Sequence, residues 1–392
     1  MAVTIIQSPA AVNMAKSPVY LRASTDKSLA LAGLYIKCAI YRASDDELIT
    51  TLVSFPDDDG NAVFYLNGIL KTLVSDDPVS SLSASDYDAA DRSFKFYCKL
   101  SDPDDADPAP GETASADLVT VNAGIPVEMQ GFLSNPFTDA SLPNYLLTAR
   151  RKRTTFLALD QYAWWSVFNN TDKEVELLVV YRMHFRNSAY EEQIINYGNV
   201  ARFSYKDIPI GNATLNLAQY ISGDIADMFM YEIYLMDVSK PVHRIFVDEH
   251  RYRPVDFLFI NFLGGMEFLR CYGDAQSAVK LSNDASQKFV DYSQLNTNEF
   301  GQRVISSVNE TFSQKVYAGM RAPDDGDVVR DFCLSKSKFV IDTNLGRLLP
   351  VRIKSDTVDM GTKNDPLKPI SFEYEMLFDN QVHNLNRPLL VP

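Results

Sequence analysis

A phrase that the chain uses twice constrains its fold more than any other feature. Residues 60–70, GNAVFYLNGIL, recur 151 positions later as residues 211–221, GNATLNLAQYI, with a shared Gly-Asn-Ala start and a shared apolar rhythm. A strand-like run that ends in Pro56 or Pro209 comes shortly before each copy. Such a repeat indicates a duplicated module, although a three-residue start also arises by chance. Duplicated β-modules usually serve as scaffolds and binding surfaces.

Composition favours a mainly β protein with several cores. The chain has 392 residues, enough for about two to four domains. Its 23 Phe and 20 Tyr favour strands, since aromatic side chains pack well on a pleated surface. We therefore predict tandem immunoglobulin-like or fibronectin-like β-sandwich modules, residues 1–125 (module 1) and 126–248 (module 2). A β-rich α+β domain, 249–383, with one helix near 325–336, and an extended arm, 384–392, follow.

Charge argues against two classes of partner. The chain carries 37 Lys and Arg against 51 Asp and Glu, a net charge of -14. Such a surface repels phosphate backbones and anionic lipids, so we predict no direct sequence-specific nucleic acid binding. The sequence has no stretch near the 18 to 20 apolar residues of a membrane span, and its start lacks the regions of a secretion signal.

The four cysteines favour free thiols. Cys38 and Cys98 lie 60 residues apart on alternating runs, a separation like that of the bridge between the sheets of an immunoglobulin domain. No Trp lies between them, and Phe96 stands where the usual corner tyrosine would be. Without a secretion signal, buried thiols are the simpler interpretation. Cys271 and Cys333 have no second Cys at a zinc-ligand spacing.

Motifs for catalysis, cofactors and metals are missing from the sequence. It contains no phosphate-binding glycine loop, no dinucleotide fingerprint and no Gly-x-Ser-x-Gly elbow. The aspartates of 57–59 and 102–107 lack the Gly and Glu of a calcium loop. His243 and His250 flank two acids, but their spacing fits neither a helical metal pair nor a triad. We predict a non-enzymatic protein without cofactor or metal; carboxylates paired only in space stay open.

Three groups of residues are candidates for assembly or binding. Trp164 and Trp165 are adjacent, so on a strand only one ring need pack in the core, and the other could stack on a sugar or anchor a partner; burial at a module or subunit junction is the simpler interpretation. The basic run Arg150, Arg151, Lys152 and Arg153 could meet an acidic patch of a neighbouring subunit. The terminal arm is apolar at Leu389, Leu390 and Val391, and could pack on a neighbouring copy or on its own domain.

Several stretches resemble structural proteins of tailed bacteriophages and prophages of the Bacteroidetes group. These stretches are IIQSP (5–9), SPVY (17–20), the phrase at 60, FLFINFLGGMEF (257–268), LPVRI (349–353) and SFEY (371–374). The resemblance implies a tail, tail-tip or baseplate component of the virion, made in the host cytoplasm. Its partners would be other tail proteins and copies of itself in a ring. The alternative is an adhesion or carbohydrate-binding protein that recognises a host-surface glycan.

Overall fold

Alternating apolar and polar residues form strands through most of the chain, and the prediction of a mainly β fold is confirmed. The computed structural model describes residues 3–26, 34–78, 82, 86–102, 113–124, 137, 146–148, 150, 154–171, 173–187, 189–235, 242–248, 254–287, 303–321, 323–344, 346–354, 358 and 368–377. The chain divides into unit 1, Met1–Glu249 with Phe259–Glu267, and unit 2, His250–Leu258 with Phe268–Pro392. Both predicted sandwich modules lie within unit 1.

Module 1 contains two sheets. Its elements are β1 (Thr4–Gln7), β2 (Val12–Met14), β3 (Tyr20–Ser24), β4 (Ile36–Arg42), β5 (Leu48–Ser54), β6 (Asn61–Tyr65), α1 (Asn67–Leu70), β7 (Tyr87–Asp88), β8 (Ser93–Ser101), β9 (Thr113–Ala114) and β10 (Leu118–Val121). The smaller sheet has the order β1-β3-β6, and the larger has the order β2-β10-β8-β4-β5, with β9 beside β8. Strands β2 and β10 are parallel, and the other pairs are antiparallel.

Module 2 repeats this arrangement. Its elements are β11 (Leu146–Leu147), β12 (Thr154–Leu157), β13 (Trp164–Phe168), β14 (Val175–Phe185), β15 (Tyr190–Val200), β16 (Tyr205–Pro209), α2 (Asn212–Leu215), β17 (Met228–Leu235) and β18 (His243–Val247). The sheets have the orders β11-β13-β16-β7 and β12-β18-β17-β14-β15. The edge pair β12 and β18 is again parallel. Each strand of the two module 2 sheets except the added β7 therefore has a counterpart in module 1.

The repeated Gly-Asn-Ala phrase occupies different positions in the two modules, so the prediction that it marks a duplicated element is wrong. Gly60 precedes β6 and closes a turn with a φ of 80°, whereas Gly211 follows β16 at the start of α2. A Cβ on Gly211 would lie 2.4 Å from the carbonyl oxygen of Gln161, so that glycine allows a close backbone approach. The equivalent helices start at Asn67 and Asn212, 145 positions apart. The two Gly-Asn-Ala segments thus serve different local purposes.

The two modules share part of a core. One apolar cluster lies within module 1, while a second combines Val12, Val119 and Val121 of module 1 with Phe168 and Tyr205 of module 2. Beside it, Arg92 donates hydrogen bonds of 2.9 and 2.8 Å to the carboxylate of Asp207, and both side chains are almost fully buried. Because a buried charge needs its partner, this ion pair fixes the modules to each other.

The cysteines of module 1 are not arranged as the immunoglobulin bridge predicts. Cys38 on β4 and Cys98 on β8 lie on neighbouring strands of one sheet, so they cannot connect two sheets. Both are buried free thiols, as the sequence favoured. A hydrogen bond to Cys98, burial and charge interaction with Cys98 raise the pKa of the Cys38 thiol far above its usual range.

Unit 2 contains a closed barrel and a helix. Its elements are β19 (Val255–Ile260), β20 (Met266–Gln287), β21 (Arg303–Arg321), α3 (Pro323–Leu334), β22 (Lys338–Asp342), β23 (Arg347–Ile353) and β24 (Lys368–Met376), and the barrel order is β19-β20-β21-β24-β23-β22. The helix predicted near 325–336 is α3. Its buried Phe332 packs on Phe257 and Phe372, with ring centroids 5.1 and 5.3 Å apart.

Candidate binding faces of the two sandwich modules

The tryptophan pair is not a binding platform. Trp164 and Trp165 on β13 are both fully buried, so the prediction that one ring is available for a sugar or partner is wrong. The reason is that both faces of this central strand are covered. The ring of Trp165 meets that of His243, on β18 of the opposite sheet, at 4.4 Å, and Trp164 lies beside Tyr162 at 6.3 Å.

The described part of the basic run is used inside the chain. Arg150 Nε lies 3.0 Å from Glu267 Oε1, and its Nη1 lies 3.1 Å from Thr155 Oγ1. For Arg150, the prediction of an acidic partner on another subunit is therefore wrong. Outside the described residues lie Arg151, Lys152, Arg153, Leu389, Leu390 and Val391, whose roles stay predictions.

The outer face of the larger module 2 sheet is the first candidate site. Along β14, alternate residues from Leu177 to Phe185 are buried, while Arg182 and His184 between them are partly exposed. Successive side chains of a strand point to opposite faces. Arg182, His184 and their neighbours on the adjacent strands therefore form one continuous surface away from the core.

Four charged residues cross this surface in one row. The strand register places Arg244 of β18 opposite Glu232 of β17, Glu232 opposite Arg182 of β14, and Arg182 opposite Glu192 of β15. Arg244 Nε lies 2.8 Å from Glu232 Oε1, and Arg182 Nη1 lies 4.0 Å from Glu232 Oε2. Arg182 Nε also donates to Glu192. The signs alternate, so neighbouring charges attract across four strands.

The inner glutamate is held in its charged form. Burial would raise its pKa, but hydrogen bonds with Arg244, Tyr234 and His184 lower the pKa of Glu232 below its usual value. The Tyr234 hydroxyl donates to Glu232 Oε2 at 2.8 Å, and His184 Nε2 lies 3.3 Å from the same oxygen. The carboxylate is thus satisfied within its own sheet.

Apolar side chains lie on both sides of the charged row. On one side the register aligns Phe156, Phe246, Met230, His184 and Tyr190 across all five strands. On the other side it aligns Tyr234, Val180 and Ile194. Phe156 is 64% exposed, Tyr190 61% and Ile194 55%. Large apolar groups exposed together are typical of a protein-binding surface.

We call this surface the ladder face. It consists of Phe156, Val180, Arg182, His184, Tyr190, Glu192, Ile194, Met230, Glu232, Tyr234, Arg244 and Phe246.

The equivalent sheet of module 1 carries a different surface. Its outward side chains include Lys37, Ala39 and Tyr41 on β4, and Lys95, Tyr97 and Lys99 on β8. Thr51 and Val53 of β5 continue it. We call these eight residues the lysine–tyrosine face.

Two stacked tyrosines form the centre of the lysine–tyrosine face. The rings of Tyr41 and Tyr97 lie 5.2 Å apart at 9°, and Lys99 Nζ lies 5.0 Å from the centroid of Tyr41. Burial, then a 2.9 Å hydrogen bond to Asp46, raises the pKa of Tyr97 to about 12. Lys37 makes no ion pair with a described carboxylate. The face therefore carries positive charge on an acidic protein.

Sequence reasoning missed both faces. The signal was present, because polar residues alternate with apolar ones along β14 and β8. What the sequence lacked was the strand order, which brings Arg244, Glu232, Arg182 and Glu192 into one row from four separate strands. Within the described residues, no cluster of three or more His, Cys, Asp or Glu could hold a metal ion.

Comparisons with known proteins add little. No family model and no curated protein matches the chain. Among solved structures, a marsupial T cell receptor is similar at 8% identity and a TM-score of 0.20, over 80% of this chain and 96% of that chain. A score so low supports no conclusion about function. None of the helices in the described ranges is long and apolar enough to cross a membrane.

Proposed function

We propose that the protein is a non-enzymatic structural subunit that assembles with other subunits through the outer faces of its sandwich modules. The ladder face carries this proposal, since its apolar rows remain exposed although its charges are paired within the sheet. Exposed apolar rows gain free energy when a partner excludes water from them, about 25 cal/mol per Å². The ion pairs between these rows determine the orientation of a partner more than they add to its affinity.

We also propose that both modules are immunoglobulin-like. The order β5-β4-β8-β10 corresponds to strands C′, C, F and G of a variable-type domain, and β15-β14-β17-β18 has the same order. Sandwiches of this kind leave whole sheet faces available for docking, and two in tandem provide two such faces on one chain.

The sequence resemblance favours a bacteriophage tail, tail tip or baseplate as the assembly. The partners would then be other tail proteins and copies of this chain. Electron microscopy of purified particles, with the protein located by density or antibody label, tests this directly. We expect density for both sandwich modules at a fixed position in the tail, and absence of the protein from purified particles would contradict the proposal.

A variant test connects the assembly to the ladder face. Phe156→Ser and Ile194→Ser remove exposed apolar groups without emptying the core, so the fold should persist while incorporation into particles falls. Ile6→Ser on β1 is a matched control, because Ile6 is similarly exposed but belongs to the smaller sheet of module 1, outside both named faces. Equal loss of incorporation in the control would indicate a general effect of surface polarity.

A second candidate function is adhesion through the lysine–tyrosine face. The stacked Tyr41 and Tyr97 beside Lys99 favour an anionic glycan, with ammonium groups for its carboxylates and rings for its sugar faces. Array binding that is lost in Tyr41→Ala, with particle assembly unchanged, would favour this function. Trp164 and Trp165 have no part in it, because both are buried.

A further inference from the structure

We propose that the ladder face binds the ladder face of a second copy of this chain, about a two-fold axis that runs parallel to the strands. The inference rests on the proposed function and names the partner of the same surface. Three properties of the face carry it: the order of its charges, the match of its apolar rows and the neutrality of its charged row.

The charge order is complementary to itself. Across the strands the row reads positive, negative, positive, negative, from Arg244 to Glu192. A two-fold axis along the strands reverses this order in the second copy. Arg244 then faces Glu192 of the other copy, and Glu232 faces its Arg182. Because the signs alternate and the number of charges is even, this reversal places a positive charge opposite a negative charge at every position of the row.

The same axis keeps the apolar rows together. It preserves position along the strands, so each row of one copy faces the same row of the other. The charge pairs place the axis between β17 and β14. Phe246 then lies against Tyr190 of the other copy, Met230 against its His184, and Tyr234 against its Val180. Strand directions stay aligned, the usual arrangement when two sheets pack face to face within about 30°.

The face supplies the centre of a dimer interface. Five strands spaced about 4.8 Å apart span roughly 20 to 24 Å, and three rows of side chains two residues apart extend for about 14 to 20 Å along the strands. The product is about 300 to 500 Å², so contacts around the face would supply the rest of the roughly 800 Å² that each partner buries in a standard interface.

Net charge favours this face over the other for contact between copies. Two chains of charge -14 repel each other, so a contact between them needs a surface that is locally neutral. The ladder face has two positive and two negative members in its row. If two copies met through the lysine–tyrosine face in the same arrangement, the lysines of one copy would face the lysines of the other. That face is therefore better suited to a negatively charged partner.

Charge reversal at the two ends of the row tests the inference. In a homodimer, Arg244→Glu brings two carboxylates together at both ends of the row, and Glu192→Arg brings two guanidinium groups together there. Each variant alone should dimerise roughly 10- to 100-fold more weakly than the unchanged chain. Mixed together, one Arg244→Glu chain and one Glu192→Arg chain form only opposite-charge contacts at these positions. The mixture should therefore regain nearly the original dimerisation constant.

Analytical ultracentrifugation of the full chain gives the readout. The unchanged protein should approach twice its 44.0 kDa mass as concentration rises. Arg22→Glu is the matched control for Arg244→Glu, because Arg22 is exposed on β3 and both reversals make the net charge more negative by the same amount. Melting temperatures of all variants show whether each one folds.

Three results would overturn the inference. They are a monomer up to about 100 μM, a dimer that neither charge variant weakens, and a mixture as weak as its components. If a monomeric chain still enters tail particles and ladder-face variants block its entry, the proposed function holds with a different partner. If the chain dimerises but is absent from particles, the proposed tail function fails while the dimer stands.

Discussion

The two larger sheets of unit 1 have the same strand order but opposite surface chemistry. On the ladder face each charged group of the row has a partner on the next strand, and the apolar rows beside it are exposed. On the lysine–tyrosine face, the ammonium group of Lys99 lies beside a stacked tyrosine pair, and Lys37 and Lys95 belong to the same surface. Topology is therefore common to both modules, while the outward residues of each sheet determine what it can bind. A shared strand order constrains the residues that face the core and leaves the outward residues free to differ.

The largest expected effect tests whether the two faces belong to one cooperative unit. Asp207→Ala leaves the Arg92 guanidinium buried without its carboxylate, and should lower the free energy of unfolding by about 3–5 kcal/mol. Urea unfolding can be followed by tryptophan fluorescence in module 2. Thiol reactivity of Cys38 and Cys98 reports on module 1, in a Cys271→Ala, Cys333→Ala background.

The two probes should give one shared midpoint, shifted equally by the substitution. Asp58→Ala, at an exposed turn residue, is the control and should change little. Separate midpoints would show that the modules unfold independently, and the comparison of their faces would then concern two domains.

The next effect concerns the inner charge of the ladder face. Glu232→Gln should lower the free energy of unfolding by about 1.5–3 kcal/mol at pH 7, because hydrogen bonds to a charged group are lost. The folded-state pKa of Glu232 is lowered, so its stabilisation is present above the unfolded pKa near 4.5 and is lost as pH falls through the folded pKa. The difference in stability between the variant and the unchanged protein should therefore narrow as pH falls below the unfolded pKa of about 4.5.

Denaturant titrations between pH 3 and 7 measure this convergence. Glu47→Gln is the control, because its ion pair with Arg42 is exposed. A gap that persists unchanged at pH 3 would mean that Glu232 acts through packing rather than charge.

A smaller effect is expected at the centre of the lysine–tyrosine face. Burial and the Asp46 hydrogen bond raise the pKa of Tyr97 to about 12, so its phenol should ionise after ordinary exposed tyrosines. The difference in absorbance at about 295 nm between the unchanged protein and Tyr97→Phe isolates this group. Its midpoint should lie near pH 12; a midpoint near 10 would show that the Asp46 contact does not persist in solution. Stability from this group is present below pH 10 and is lost as pH rises through 12.

The smallest effect separates binding from folding. Lys37→Ala and Lys95→Ala should each change the free energy of unfolding by less than about 0.5 kcal/mol, since neither lysine is buried or paired with a described carboxylate. Thermal melts measure the change. A decrease in the free energy of unfolding above about 1 kcal/mol would mean that these lysines stabilise the sheet. They would then contribute to folding, as the charged row of the ladder face does.

The sequence predicted strands and α3 well but predicted the sites poorly. Alternation along β4 and β8 follows from one buried face, which local pattern alone reveals. The tryptophans misled because β13 is covered on both faces, a property of sheet packing that no window of sequence contains. The charged row needed the order of four strands. Arg150 needed Glu267, which lies 117 residues away in sequence.

The ion pair of Arg92 and Asp207 also sets an order of events during synthesis. The two residues lie 115 positions apart, so a ribosome that adds about 5–20 residues per second exposes Arg92 roughly 6–23 seconds before its carboxylate exists. Until then strand β7 also lacks β16, the strand with which it pairs. We expect module 1 to collapse early around its own core and to close over the guanidinium only when β16 emerges. The second half of the chain thus completes the first, and a nascent chain stalled between them keeps an unpaired cation at an unfinished sheet edge.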